Sequence, residues 1–480
     1  MDFVFLSTQG WDEMGGVGRP IHFLARELLA RGERVLFVEV VASKDNASEK
    51  NFTRVNFDAL GFDEHALRRA WFGLDPQIDS LPSFTRALDA FESPTAERVV
   101  VYADPFIPFL EWFNLFRARS YKIVYDALDD FEAFPEIGLY FANPDAEKFL
   151  VAHSDLVLAV STTLLEKLSA WKHRAPIQLL RQGFDPQTFR APRTERTPLR
   201  SPPRAGNAAP APDGNAAPAP DGNAAPAPDG NAAASVPYVL GFWGHINAFN
   251  IDVAMIEYIA RARPQWTIQL IGPIDLDPAL PRVQKTLLAL PNVQLVGHVA
   301  HVELPRYLHT FDVALVPFPA NAFNRARDPL KVYEYLSGYK PIVAAHTPQL
   351  RGMPYLSVAE SPQEFLDQIE RALQVQVDRN VVDAYLAQCT WIKRLDQFLN
   401  RLAQITPAAH SPAPDIYAWY ADTSPELSVR EYIARTEQLL QERTAYVRAL
   451  ENEGRAKQTH IDNLQRFNPI WSLKSLFDLL

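Results

Sequence analysis

Two separate runs of short apolar strands alternating with amphipathic helices predict an α/β protein of two Rossmann-like domains, with a helical, coiled-coil extension after them. Three observations carry this. The first alternation runs over residues 3–180 and the second over 238–344, each long enough for a parallel sheet of about six strands; an eight-residue repeat divides them; and past residue 361 the apolar spacing turns helical. The expected boundaries are 1–198 for the first domain, 199–235 for a linker and 236–385 for the second domain. A separate helical segment over 386–406 and a long helix with an amphipathic tail over 415–480 complete the chain.

Composition narrows the function classes. A chain of 480 residues that is 47% hydrophobic, with nine tryptophans, can bury large cores. A net charge of −10 and no basic stripe argue against a dedicated nucleic-acid binder. Cys389 is the only cysteine, so neither a disulfide framework nor a cysteine-rich metal site is expected. The N-terminus lacks the basic and apolar regions of a signal peptide, and no apolar run is long enough to span a bilayer. The expectation is a soluble cytoplasmic protein, with attachment to the inner face of a membrane left open.

Residues 3–7 form a short apolar run, hence a buried strand, and a helix is expected from about Pro20 to Arg31, ended by Gly32. The loop between them holds Gly15, Gly16 and Gly18, which let backbone approach a ligand closely. A nicotinamide-binding reading is weak here. Ile21 stands at the third glycine position, and the loop is long for a tight strand-to-helix turn. A strand is expected over 35–40. Residues 42–97 read as polar and irregular, with helices near 65–72 and 85–91. Strands are expected over 98–102, 121–125, 156–160 and 177–180, with a helix over 162–171. Asp126, Asp129 and Asp130 follow the carboxyl end of the 121–125 strand, the ligand-binding edge of an open α/β sheet, although Asp129 or Asp130 equally well starts the next segment.

From Gly206 the chain repeats Gly-Asn-Ala-Ala-Pro-Ala-Pro-Asp three times and begins a fourth copy. Small residues and prolines build no core, so this is read as a disordered linker spanning about 33 Å as a flexible coil. Strands resume at 238–243, 266–271, 293–296 and 311–317, with helices near 251–263, 283–290 and 304–309. Asp275 and Asp277 mimic a metal-binding Asp-x-Asp motif but sit in a loop before a helix and read as capping residues. Over 428–467 a helix carries Val429, Tyr432, Thr436, Leu439, Arg443, Tyr446 and Leu450 at 3/4 spacing, a coiled-coil seam suited to self-association. The tail 470–480 is amphipathic and suits packing against the body, a partner chain or a membrane surface.

The stretch 327–344 organises the second domain. Asp328-Pro329 reads as a helix start, with Asp328 capping the free N–H groups; Lys331, Glu334, Tyr335 and Gly338 share a short helix; and 342–344 is an apolar strand. A lysine at a helix N-terminus favours phosphate, and a carboxylate one turn on can hold two sugar hydroxyls. From these residues alone, a solvated charge pair on an amphipathic helix is the other reading.

Several pieces together resemble the retaining nucleotide-sugar glycosyltransferases of GT-B architecture, the group often called glycosyltransferase family 1 or 4. The resemblance covers roughly residues 1–405 apart from the repeat. It rests on the glycine-rich first loop, the 155–161 strand and Gly183-Phe184-Asp185 with Phe189. It also rests on 295–299, on 303–308 with 311–317, and on 328–344. It implies that Glu334 holds the donor ribose, that Gly297, His298 and Val299 form the loop against which the base stacks, and that Gly15 and Gly16 approach the donor phosphates near Gly244. The segment around Trp391 is similar to the last helix of the family, which crosses back to the first domain. This sequence departs from the pattern in three places. Ala326 stands where the family has its first acid. His245 and Asn250 stand near the usual Arg and Lys, leaving Lys331, Arg325 and Arg327 as candidate phosphate ligands. The usual first-domain histidine is not evident, and Asp126 and Asp129 are offered instead.

The resemblance implies transfer of a sugar from a nucleoside diphosphate sugar to a saccharide or lipid-linked acceptor, with retention, no metal and no other cofactor. Lys331, Asp126 and Asp129 are the catalytic candidates. A non-catalytic nucleotide-sugar-binding scaffold and a GT-B-fold sugar-nucleotide epimerase are the alternatives.

Overall fold

The computed structural model describes residues 1–11, 20–40, 48–57, 60, 81–137, 144–189, 237–274, 285–406 and 412–413. They form two sheets. The first contains β1 (Asp2–Ser7), β2 (Arg34–Glu39), β3 (Ser48–Glu49), β4 (Phe52–Asn56), β5 (Arg98–Tyr102), β6 (Lys122–Ala127), β7 (Leu156–Ala159) and β8 (Ile177–Leu179). Its order is β3-β4-β2-β1-β5-β6-β7-β8, parallel throughout except for β3 on β4. The second contains β9 (Val239–Trp243), β10 (Thr267–Ile271), β11 (Val293–Gly297), β12 (Val313–Val316), β13 (Ile342–Ala345) and β14 (Leu356–Ala359). Its order is β11-β10-β9-β12-β13-β14, all parallel.

The expectation of about six strands per sheet holds for the second and falls short for the first, which has eight. The difference lies in the region read as irregular. β4 alternates buried and half-buried residues, and its Arg54 is drawn inside by an ion pair to the buried Glu39 on β2, so its composition looks like a loop's. A helix fills Leu81–Phe91 where 85–91 was expected, and the helix expected near 65–72 lies outside the described residues. The linker, the 428–467 helix and the tail also lie outside them, as do Asp275 and Asp277.

In both sheets the strand order reverses beside the first strand of the domain, at β1 and at β9. Such switch points open a crevice past the carboxyl ends of the strands. Buried side chains on both faces of each sheet explain the near-continuous apolar runs. Gly241 on β9 is there for space, since a Cβ would lie 2.0 Å from the Phe311 ring.

The last described helix, Trp391–Leu402, joins the two domains. Its Leu395, Phe398 and Leu402 pack into the core of the first domain with Phe3 and Phe5. Trp391 stacks on Phe23 of the Pro20–Ala30 helix with ring centroids 4.6 Å apart and planes at 4°. The Lys122 ammonium donates to the Leu402 carbonyl (2.9 Å), and the Arg401 guanidinium to the Leu179 carbonyl (2.6 Å), so the C-terminal turn is tied to β6 and β8. Among the described residues, no helix is long and apolar enough to cross a membrane.

Candidate donor-binding cleft

A cavity of about 700 Å³ lies between the carboxyl edges of the two sheets. The second domain supplies most of its charge. Lys331 begins the Lys331–Ser337 helix and reaches back to Gly244, which follows β9. Gly244 has φ +139°, and a Cβ on it would lie 2.6 Å from the lysine nitrogen, so only glycine leaves room for this side chain. The ammonium sits over the Phe242 ring at 4.3 Å and the Phe318 ring at 5.3 Å. Burial, helped by the neighbouring Arg327, pushes the Lys331 ammonium down to about 7, against a smaller opposing pull from Glu334.

Arg327 stands beside it. Its guanidinium donates to Asn250 Oδ1 (2.8 Å) and Asn324 Oδ1 (3.2 Å), and lies 4.5 Å over the Phe318 ring. Burial lowers its pKa, while Asp129 across the cleft opposes that shift. Among the described residues, no carboxylate lies within ion-pair distance of Arg327 or Lys331. Two adjacent, largely desolvated cations with no carboxylate in ion-pair range give this part of the wall a positive potential.

Glu334 is mostly buried on the same helix. Its Oε2 accepts from the Trp243 indole N–H (3.0 Å) and its Oε1 pairs with His301 Nε2 (2.9 Å). His301 comes from the turn after β11 and meets the Phe189 ring edge-on at 5.1 Å. Two ring N–H groups therefore set the plane of the carboxylate, and each oxygen keeps a lone pair for a ligand hydroxyl.

Asp328 behaves differently from the capping residue read in the sequence. The helix begins three residues later, its N-cap Leu330 makes no side-chain cap bond, and Asp328 turns toward the first domain. Its carboxylate accepts from the Arg181 guanidinium (2.8 and 3.2 Å), the Gln182 backbone N–H (3.0 Å) and the Tyr333 hydroxyl (3.0 Å). A buried carboxylate with four donors nearby is a structural tie.

Of the residues singled out in the sequence, the structure brings Asp129, Gly244, His298, Val299, Arg327, Lys331 and Glu334 to the cleft wall. Gly297 precedes that wall at the end of β11 with φ +84°. Asp126 is buried within β6 and does not line the cavity. Arg325 turns outward, half-exposed, toward Glu360 at 3.6 Å. Gly15 and Gly16 lie outside the described residues. Sequence reasoning passed over Trp243, His301, Phe23 and Arg26, all on the cleft wall. None sits in a local motif; only the fold collects them.

Comparison with known proteins agrees with this geometry. Residues 237–375 match the family model described as glycosyl transferases group 1. A stretch of 140 residues is 34% identical to the putative teichuronic acid biosynthesis glycosyltransferase TuaH of Bacillus subtilis (strain 168), over 28% of this chain and 34% of that protein. The chain thus spans about a third of the length of that curated relative. The fold is similar to that of sucrose-phosphate synthase from Thermosynechococcus elongatus, at TM-score 0.55 and 14% identity, over 84% of this chain and 98% of the other. It is equally similar to HepE from Anabaena in complex with UDP and glucose, at TM-score 0.55 and 14% identity, over 84% and 99%. The chain therefore has the two-domain GT-B fold, and its second domain matches the glycosyl transferases group 1 family.

Proposed function

We propose that this chain is a glycosyltransferase that moves a sugar from a nucleoside diphosphate sugar to a saccharide or lipid-linked acceptor, with retention and without a metal ion, in the cytoplasm. The observation that carries the proposal is the pair Lys331 and Arg327, two adjacent cations on the cleft wall with no carboxylate within ion-pair distance among the described residues. A diphosphate offsets both charges. As the C1–O bond to the diphosphate breaks and the acceptor oxygen bonds to C1, negative charge gathers on the departing phosphate and the acceptor proton passes to it. Preorganised cations in a water-poor site stabilise that charge most as it develops.

In this reading Glu334 takes the ribose hydroxyls, the Gly297–Val299 loop takes the base, and Asp129 faces the acceptor from the first domain. Gly15 and Gly16 complete the phosphate side. The match to TuaH and the UDP and glucose bound by HepE support a nucleotide-sugar donor.

The test is incubation of the purified chain with labelled nucleotide sugars and a panel of glycan and lipid-linked acceptors. The expected result is acceptor-dependent release of nucleoside diphosphate, a product of unchanged anomeric configuration, and activity that survives a chelator. Sugar release without acceptor would point to an epimerase, and binding without turnover to a scaffold. Loss of activity with chelator would overturn the metal-free mechanism.

A further inference from the structure

We infer that His301 is a positioning residue for Glu334, and that its ring N–H sets how tightly the cleft holds the ribose end of a nucleoside diphosphate. The inference rests on the reading of Glu334 as the ribose acid and goes one residue beyond it.

Glu334 has two protein donors of different character. The Trp243 indole N–H, at 3.0 Å from Oε2, comes from the end of β9 and carries its proton at every accessible pH. His301 Nε2, at 2.9 Å from Oε1, comes from a three-residue turn at the mouth of the cleft, where the next residue, Val302, is 78% exposed. A carboxylate oxygen only accepts, so Nε2 carries the proton in the neutral ring and in the cation alike. The cation donates the stronger bond. One arm of the carboxylate is thus permanent and the other is graded by protonation. Phe189 closes one side of the imidazole, and Glu334 is far more buried than His301.

The charged groups facing the ring are Glu334 from the 331–337 helix and Asp185 from the segment after β8. The Trp243 and Phe189 rings are neutral. The hydrogen bond to Glu334, more than burial opposes it and with Asp185 adding, holds the imidazole above its ordinary value. The sign follows. The charged ring is favoured at low pH and lost as pH rises through the folded-state value, so the contribution of His301 to nucleotide binding falls as pH rises.

The experiment is calorimetric titration of UDP, GDP and ADP into wild type, His301→Ala, His301→Gln and Glu334→Ala between about pH 6 and 8.5. At low pH, His301→Ala is expected to bind about tenfold more weakly than wild type. His301→Gln, whose amide can donate from a similar place, falls between them, with little change in melting temperature. The advantage of wild type over His301→Gln shrinks severalfold by the alkaline end; taking this ratio removes the pH dependence that Lys331 gives both proteins. A ratio that stays constant with pH overturns the inference, as does His301→Ala binding like wild type while Glu334→Ala binds weakly. Failure of wild type to bind any of the three nucleotides would overturn the reading of Glu334 itself.

Discussion

The two sheet edges that meet at the cleft settle their charges in opposite ways. On the first domain acids and bases are matched internally. Asp130 is bonded to Lys167, and Asp104 accepts from the Thr8 backbone and hydroxyl. The deeply buried Glu147 accepts from Tyr125, and burial pushes its carboxyl up to about 8. On the second domain, Arg327 and Lys331 contact amide oxygens and aromatic faces, and among the described residues no carboxylate lies within ion-pair distance, Asp129 and Glu334 acting on them from farther away. The contrast repeats within five residues: Asp328, lying between these cations in sequence, is saturated by Arg181 of the first domain. The matched Asp328 ties the two domains through Arg181, while Arg327 and Lys331 are left without such a carboxylate among the described residues.

The comparison breaks first at Lys331. Lys331→Ala is expected to lower kcat/KM by roughly a hundredfold to a thousandfold, the scale for losing one preorganised charge donor. Steady-state kinetics with the donor found in the transfer assay checks this, and an unchanged kcat would remove Lys331 from the reaction. Asp328→Ala sharpens the other half. Removing one partner of a buried ion pair leaves Arg181 uncompensated, so the variant should lose about 3 kcal/mol of stability in urea unfolding. A loss below about 0.5 kcal/mol would show that the tie contributes nothing beyond a surface pair.

Much of the fold was legible because its physics is local. Apolar runs of four to six residues separated by amphipathic helices can be read one at a time, and β1, β2, β5 and β9 all fall within a residue or so of expectation. β4 was not legible, because its Arg54 is tolerated inside only through Glu39, a partner 15 residues away. The candidate site divides in the same way. Lys331, Arg327 and Glu334 stand in one short stretch whose charge pattern is visible. His301 and Trp243 reach Glu334 from 33 and 91 residues away, a meeting that sheet order creates and spacing does not show. Asp328 was misread as a cap because the Asp-Pro pair fits that role locally, while the stronger claim on its carboxylate comes from Arg181, 147 residues earlier.

The central claim is that the unmatched cations are completed by a diphosphate, and proton linkage tests it most directly. Burial and Arg327 depress Lys331 to about 7, so at about pH 8 the side chain is mostly neutral in the empty cleft. A bound diphosphate restores the charged form, and binding must then take up a proton. Calorimetric titration of UDP, GDP and ADP in two buffers of different ionisation enthalpy should show uptake approaching about one proton per nucleotide for the one that binds, and with Lys331→Met only the small remainder that His301 contributes at this pH. Binding without proton uptake, or uptake undiminished in Lys331→Met, would contradict the account.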